Sequence, residues 1–372
     1  MSLFVAPDQM NYFFLSFVVS LAVTYMVVRS SSQHAWLSAD HDLSGPQKFH
    51  HTPVPRVGGL PLSLAIVAGV LLYQSDRSDQ VESLWLWLLA ALPALGSGLA
   101  EDFTKQVSPR KRLFFTAIST LLGIWLLNAI ITRTSVPGLD ALMAWWPVAA
   151  ALTVFMVTGV THAVNIIDGF NGLASACVFF MMLALALVAY QVGNVWVWAC
   201  ALICAGAISG FFLWNFPAGL IFLGDGGAYF LGFTVAELSV LLLSGHESVS
   251  PFFPVLLCAY PLMETAFTMY RRRILKGQKT SDADGIHLHT LIYRRLVRKH
   301  VPVEAQGRQS IRNSMTSPYL WVICLLSVIP AALWWNNTPV LLGFLFLFGL
   351  VYVNFYWRIV RFRVPKFLII RG

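Results

Sequence analysis

Charged side chains are scarce in this chain. Asp, Glu, Lys and Arg make up 11% of its 372 residues, where soluble globular proteins carry about 25%. With a hydrophobic share of 57%, that scarcity excludes a water-soluble domain and predicts an integral membrane protein. Cysteine is also sparse. Cys177, Cys200, Cys204, Cys258 and Cys324 lie inside apolar runs without paired ligand spacing, so neither a disulfide framework nor a zinc site is implied. The first ten residues hold Asp8 and no Lys or Arg. This is the reverse of a signal peptide's basic start, and no small-residue cleavage site follows, so the first apolar run reads as a retained helix. No long linker, low-complexity tract or internal repeat divides the chain, which predicts one membrane domain over 1–372.

What is present is a series of apolar stretches close to the ~20 residues a spanning helix needs. They cover about 11–29, 58–73, 84–100, 113–131, 143–162, 173–190, 195–213, 226–243, 253–270, 318–335 and 340–357. The expected fold is an all-α polytopic membrane protein with about 11 transmembrane helices, ten being the alternative because several stretches are short. Threading with the first terminus outside puts 23 of the 25 Lys and Arg residues on the inner side and only Arg77 and Arg133 outside. By the positive-inside rule this predicts a periplasmic N-terminus and a cytoplasmic C-terminus. The net charge of +8 then describes a face beside anionic lipid headgroups rather than a nucleic-acid site.

The largest polar segment is 271–317, expected as a cytoplasmic loop. Within it Leu288, Leu291, Ile292 and Leu296 recur at helical spacing, opposite Arg294, Arg295, Arg298 and Lys299. That pattern predicts an amphipathic helix lying on the membrane surface. Residues 358–372 form a basic cytoplasmic tail.

Several of the 17 acids stand near inner helix ends: Glu101, Asp102, Asp168, Asp225 and Glu264. A carboxylate close to hydrocarbon is costly and marks a functional site by default. Four polar patches, Gly98 to Asp102, Asn165 to Gly169, Gly224 to Gly227 and Asp284 to His289, all thread to the same side. Thiol-free, oxygen-rich ligand sets suit Mg²⁺ or Mn²⁺ shared with substrate phosphates. The neighbouring Lys48, Arg56, Lys105, Arg110, Lys111 and Arg112 are able to receive phosphate oxygens. Together these predict phosphoryl chemistry at the cytoplasmic membrane surface. Glycines around Asp225 leave backbone open to a metal or pyrophosphate, and Phe222 is placed to stack on a base. His287 and His289, read from spacing alone, leave polar loop contacts, a transition metal and phosphate binding all open.

The motifs are recognisable as an ordered set. They are Pro55-Arg56-Val57-Gly58-Gly59, Glu101-Asp102 with Ser108-Pro109-Arg110-Lys111-Arg112-Leu113, His162 through Ala174, Phe222-Leu223-Gly224-Asp225, Pro261-Leu262-Met263-Glu264 and His287-Leu288-His289. In this order the chain resembles the polyprenyl-phosphate N-acetylhexosamine-1-phosphate transferase family. The resemblance implies transfer of a sugar 1-phosphate from a UDP-sugar to undecaprenyl phosphate with release of UMP, in the bacterial inner membrane. It implies Glu101, Asp102, Asp168 and Asp225 as catalytic residues, with Mg²⁺ (Mn²⁺ the alternative) on Asp225 and Asp168. Lys48, Arg56, His162, Asn165, Asn171, Phe222, Glu264, His287 and His289 are implied to bind substrate. A homodimer is an expectation from the family alone. Because a phosphate monoester is mostly dianionic at neutral pH, Glu101 and Asp102 are expected to position the lipid phosphate more than to deprotonate it.

Glu101, His162, Asn171 and Glu264 depart from the usual Asp, Asn, Asp and Asp of the pattern. The two separated histidines favour a UDP-N-acetylhexosamine such as UDP-GlcNAc, UDP-FucNAc or UDP-QuiNAc, as used to start O-antigen or related polysaccharides, over the muramyl-pentapeptide branch. A lipid-linked sugar transporter or an inactive membrane scaffold are the readings from other classes. The first would want polar groups along a mid-membrane path, where Glu237 stands almost alone.

Overall fold

The computed structural model describes residues 10–31, 54–76, 81–275, 286–297 and 308–363. Its long helices are α1 (Asn11–Arg29), α2 (Gly59–Asp76), α3 (Val81–Thr104), α4 (Pro109–Leu127), α5 (Trp146–Ile167), α6 (Leu173–Gln191), α7 (Val195–Asn215) and α8 (Gly224–Gly245). They are followed by α9 (Phe252–Leu257), α10 (Ala259–Tyr270), α11 (Leu288–Ile292), α12 (Arg308–Leu333) and α13 (Thr338–Val360). Among the described residues, 9 helices are long and apolar enough to cross a membrane. The chain is therefore a polytopic, all-helical membrane protein. Its outer faces expose large apolar side chains such as Phe14, Leu71, Trp125, Phe155 and Phe346, as a surface in contact with lipid requires.

Two of the eleven expected spans take a different form. The stretch expected at 113–131 begins earlier, because Ser108 accepts the Lys111 N–H as an N-cap and Pro109 follows it. Its first turn carries Arg110, Lys111 and Arg112, and the helix stops where Asn128 enters the left-handed region. The stretch expected at 253–270 is broken at Cys258 into α9 and α10. Pro261 has no N–H to give the Leu257 carbonyl, which weakens the helix at this point, although Pro93, Pro318 and Pro330 are carried inside continuous helices.

Helix α8 is the axis of the bundle. All of its 22 residues except Leu241, Ser244 and Gly245 are buried, and α2, α3, α4, α5, α6 and α7 pack around it. Side chains clamp both ends. At the N-terminus the Asp102 carboxylate accepts the backbone N–H groups of Asp225 (2.9 Å) and Gly226 (2.8 Å). At the other end the Arg133 guanidinium donates to the carbonyls of Leu243 (3.1 Å), His246 (2.8 Å) and Val249 (2.6 Å). Negative charge at the N-terminus and positive at the C-terminus both complement the helix dipole. Arg133→Met is expected to lower stability by about 2 kcal/mol, read as a fall in the thermal unfolding transition of the detergent-solubilised protein.

Helix α1 closes the far side of the bundle by lying against α7. A Cβ on Gly210 would meet the Phe17 carbonyl oxygen at 2.3 Å. With no water to drive association inside a bilayer, such small-residue seams let backbones pack directly.

The amphipathic segment expected at a membrane surface is folded onto the bundle instead. Leu288, Leu291, Ile292 and Leu296 are all buried, in α11 and the π-helical turn Tyr293–Val297 that continues it. Their apolar stripe faces α12 and α13 rather than lipid. Arg298 and Lys299 of the same pattern lie outside the described residues.

Candidate active site

At one end of the bundle the C-terminal ends of α3 and α5 meet the N-terminal ends of α4, α8 and α11. A cavity of about 280 Å³ opens there, lined by Arg56, Asn165, Asp168, Asp225, His287 and His289 together with Ile166, Gly169, Phe170 and Thr290. Three of the four polar patches of the sequence thus line one site, and the fourth abuts it through Asp102, which holds the backbone of Asp225; Asp284 and Gly285 fall outside the described residues.

Asp225 is its centre. It is the second residue of α8, and the preceding Gly224 has φ +73°, a conformation L side chains rarely adopt. A Cβ on Gly224 would also meet the Asp102 carboxylate at 2.6 Å, so glycine is needed for the carboxylate to reach the helix end. One Asp225 oxygen accepts from Asn165 Nδ2 at 3.1 Å and Arg56 Nη2 at 3.5 Å, while Arg112 donates to the other. Two guanidinium groups therefore hold the carboxylate at a fixed place, and Arg56 also lines the cavity.

Asp168 lines the same cavity just past the end of α5. Withdrawal from bulk water pushes its pKa up to about 7, Arg56 acting against that rise and the Asp225 charge adding to it. Across the cavity His287 and His289 stack with ring centroids 5.1 Å apart and planes at 13°. Spacing i, i+2 allows this because His287 is extended (φ −61°, ψ 154°) and α11 starts immediately after it. His289 is held neutral, its pKa pushed down to about 3 by burial and by His287, with Glu264 opposing. Its Nδ1 is buried without a hydrogen-bond partner among the described residues.

Glu264 stands behind the histidines, buried and away from the cavity lining. It accepts from the Leu288 N–H at 3.0 Å, lies 3.1 Å from His287 Nδ1, and accepts from the Tyr352 hydroxyl at 2.8 Å. The sequence placed Glu264 among substrate-binding residues; here it positions the residues that line the cavity. Removing it would strand three buried partners. Glu264→Ala is expected to cost about 3 kcal/mol and Glu264→Gln much less, measured by thermal unfolding in detergent.

Five other described residues of the expected set, His162 among them, do not reach the cavity lining. Glu101 accepts the Val107 N–H at 2.7 Å and so staples the loop between α3 and α4. Asn171 is buried, donates its backbone N–H to Asn313 Oδ1 at 2.8 Å and its side-chain NH₂ to Ser314 Oγ at 3.1 Å, tying the α5–α6 turn to α12. The Phe222 backbone pairs with Pro55 at 2.9 Å and with Gly58 at 3.1 Å, outside the cavity wall. Asp102 is fully buried by its two backbone donors. Lys48 lies outside the described residues.

His162 sits at the margin, with Nε2 3.1 Å from Thr116 Oγ1 and its ring 4.8 Å from that of Tyr229. Tyr229 itself was missed in the sequence. It lies one turn after Asp225, donates to Asn165 Oδ1 at 3.4 Å and has the Arg112 guanidinium 5.9 Å from its ring centroid. The i, i+4 relation to Asp225 was the signal that could have found it.

A buried carboxylate between two guanidiniums, a second carboxylate and two histidines around one cavity at the end of the bundle suit phosphoryl transfer. Comparison with known proteins agrees. The description "Glycosyl transferase family 4" matches residues 84–243. Over 288 residues the chain is 29% identical to a probable undecaprenyl-phosphate N-acetylglucosaminyl 1-phosphate transferase of Bacillus subtilis (strain 168), covering 76% of this chain and 77% of that protein. It is 26% identical over 255 residues to the undecaprenyl-phosphate alpha-N-acetylglucosaminyl 1-phosphate transferase of Thermotoga maritima, covering 68% and 73%. A phospho-N-acetylmuramoyl-pentapeptide-transferase of Oceanobacillus iheyensis is 32% identical over 214 residues, covering 53% and 64%. Over residues 84–243 the chain is thus similar to glycosyl transferase family 4, and over a longer stretch to membrane sugar-1-phosphate transferases of undecaprenyl phosphate.

Proposed function

We propose that this protein transfers an N-acetylhexosamine 1-phosphate from a UDP-sugar to undecaprenyl phosphate, releasing UMP, at the cytoplasmic face of the bacterial inner membrane. The product, an undecaprenyl-diphospho-sugar, would start O-antigen or a related cell-envelope polysaccharide. The observation that carries this reading is Asp225, held by Arg56, Arg112 and Asn165 in the cavity it shares with Asp168, His287 and His289. The cytoplasmic orientation is supported by the Lys and Arg distribution of the sequence.

In the reaction a lipid-phosphate oxygen attacks the β-phosphorus of the UDP-sugar, the bond from that phosphorus to the oxygen bridging it to the α-phosphate breaks, and UMP leaves with that oxygen. One phosphoanhydride replaces another, so little free energy is lost and most of the barrier is the approach of two anions. Arg56 and Arg112 meet that approach by donating to phosphate oxygens. His289 offers a neutral hydrogen-bonding ring, and the stacked pair walls off the far side of the pyrophosphate.

The donor set fits Mg²⁺. Asp225 and Asp168 face one cavity with the Asn165 amide beside them, and no thiol lines it. Two carboxylates leave room for phosphate oxygens and water in an octahedral shell. Asp225 and Asp168 would hold the ion, which when bound neutralises pyrophosphate oxygens and makes the β-phosphorus more electrophilic.

The test is UMP release by the detergent-purified protein from a panel of UDP-N-acetylhexosamines, with and without undecaprenyl phosphate and Mg²⁺. Release that requires both is expected, and the fastest donor names the sugar. Selective use of UDP-MurNAc-pentapeptide would transfer the protein to the muramyl branch, and release without lipid would replace transfer with hydrolysis.

A further inference from the structure

Helix α13 ends beside the π-helical turn Tyr293–Val297, at the same end of the bundle as the cavity. Its last turns carry a separate pocket of about 570 Å³. Among the described residues Arg358, Arg361 and Arg363 line this pocket with Asn354, Trp357, Leu350 and Val353. Among the described residues no carboxylate lines it.

Arginines at a helix C-terminus have an ordinary explanation, the helix dipole and the free carbonyls of the last turn. That role is already filled here. Arg295 reaches across from the π-helical turn and donates to the Ile359 carbonyl at 2.7 Å and to that of Val360. Its guanidinium also lies 4.1 Å from the Phe362 ring centroid. Phe362 takes φ +57°, which folds the chain back so that the Arg363 N–H bonds the Arg358 carbonyl at 2.9 Å. The three arginines are thus gathered around one space rather than strung along a tail. Arg358 is oriented by Asn354 Oδ1 at 2.8 Å, and Arg361 lies 5.9 Å from the Trp357 ring centroid.

Along the helix the surface changes in the order a bilayer changes. Leu350 and Val353 come first, Asn354 and Trp357 follow at the depth where amphipathic rings favour the headgroup layer, and the guanidiniums lie outermost. We propose that this pocket binds the headgroup of an anionic glycerophospholipid, with the phosphodiester between Arg358, Arg361 and Arg363 and an acyl chain descending along Val353 and Leu350. Three guanidiniums with no carboxylate beside them among the described residues select a net negative lipid over a zwitterionic one. The site is separate from the reaction cavity and serves to hold the cytoplasmic end of α13 at the membrane surface.

The test uses the full chain in detergent and native mass spectrometry with phosphatidylglycerol, phosphatidylcholine of the same acyl chains, and inorganic phosphate. Wild type is expected to retain phosphatidylglycerol in preference to phosphatidylcholine. The triple variant R358Q/R361Q/R363Q is expected to bind the first phosphatidylglycerol at least ~10-fold more weakly, from the worth of basic residues near an anionic surface. Unchanged retention by the triple variant, equal binding of the two lipids by wild type, or displacement of phosphatidylglycerol by millimolar phosphate would each overturn the proposal. If the triple variant does not insert, the single variants Arg361→Gln and Arg363→Gln, with unfolding transitions matching wild type, carry the same reading. Each must then show an intermediate loss.

Discussion

Asp225→Asn is expected to lower UMP release by about 10³-fold, the scale on which loss of one charged group that stabilises a transition state is felt. The change keeps the shape of the side chain and removes its charge. In the proposed reaction that charge has two jobs. It holds Arg56 and Arg112 in place, and with Asp168 it would supply the negative charge for a Mg²⁺ ion. The asparagine turns its own NH₂ group toward a guanidinium or toward Asn165 Nδ2, replacing an acceptor with a donor where donors already point. The fold should survive, since Asp102 still holds the α8 N-terminus through backbone N–H groups. The measurement is kcat in the UMP-release assay beside the thermal transition of the same preparation. A loss in kcat with an unfolding transition near wild type is the expected pair, and activity within tenfold of wild type would remove Asp225 from the centre of the reaction.

The parts of the site that could be read from the sequence are those whose chemistry conflicts with their surroundings. Asp168 and Asp225 at apolar helix ends, Arg56 in a Gly-Pro turn and two histidines in a polar loop all violate the hydropathy around them, and each lines the cavity. Residues that act through another residue carry the same mark. Glu101, Asn171 and Glu264 look like Asp225 in a string of letters, but their oxygens and amides are consumed by Val107, by Asn313 and Ser314 of α12, and by the His287–Leu288 segment. Only the three-dimensional pairing separates them. Helix count was legible where composition alone decides it, and the break at Cys258 was not, because a proline such as Pro261 interrupts one helix while Pro93, Pro318 and Pro330 sit inside continuous ones. The stripe Leu288, Leu291, Ile292 and Leu296 fixed a helix face; periodicity does not say whether lipid or protein covers that face.

Asp102→Asn is expected to reduce kcat by about 10²-fold while leaving the shape of the pH–rate profile unaltered. Two roles are open to an acid at this position, a base for the lipid phosphate or a clamp on the backbone that carries Asp225. They predict different pH behaviour. A lost base is compensated as pH rises, because the lipid phosphate, with a second pKa of ~6, deprotonates on its own; the deficit of the variant would then shrink between pH 6 and 8. A lost clamp is not compensated. Asp102 is buried with both carboxylate oxygens taken by the N–H groups of Asp225 and Gly226, which leaves no oxygen directed at a substrate. Asparagine can accept only one of those bonds and presents its NH₂ to the other donor, so the first turn of α8 loosens at a cost of about 2 kcal/mol. Asp225 shifts with it, and a displacement of an ångström at a reacting centre is enough to cost two orders of magnitude. The ratio of wild-type to variant kcat, measured from pH 6 to 9, should therefore stay flat. A ratio that falls steadily with pH would return Asp102 to the role of base, and would require its carboxylate to leave the helix end during turnover.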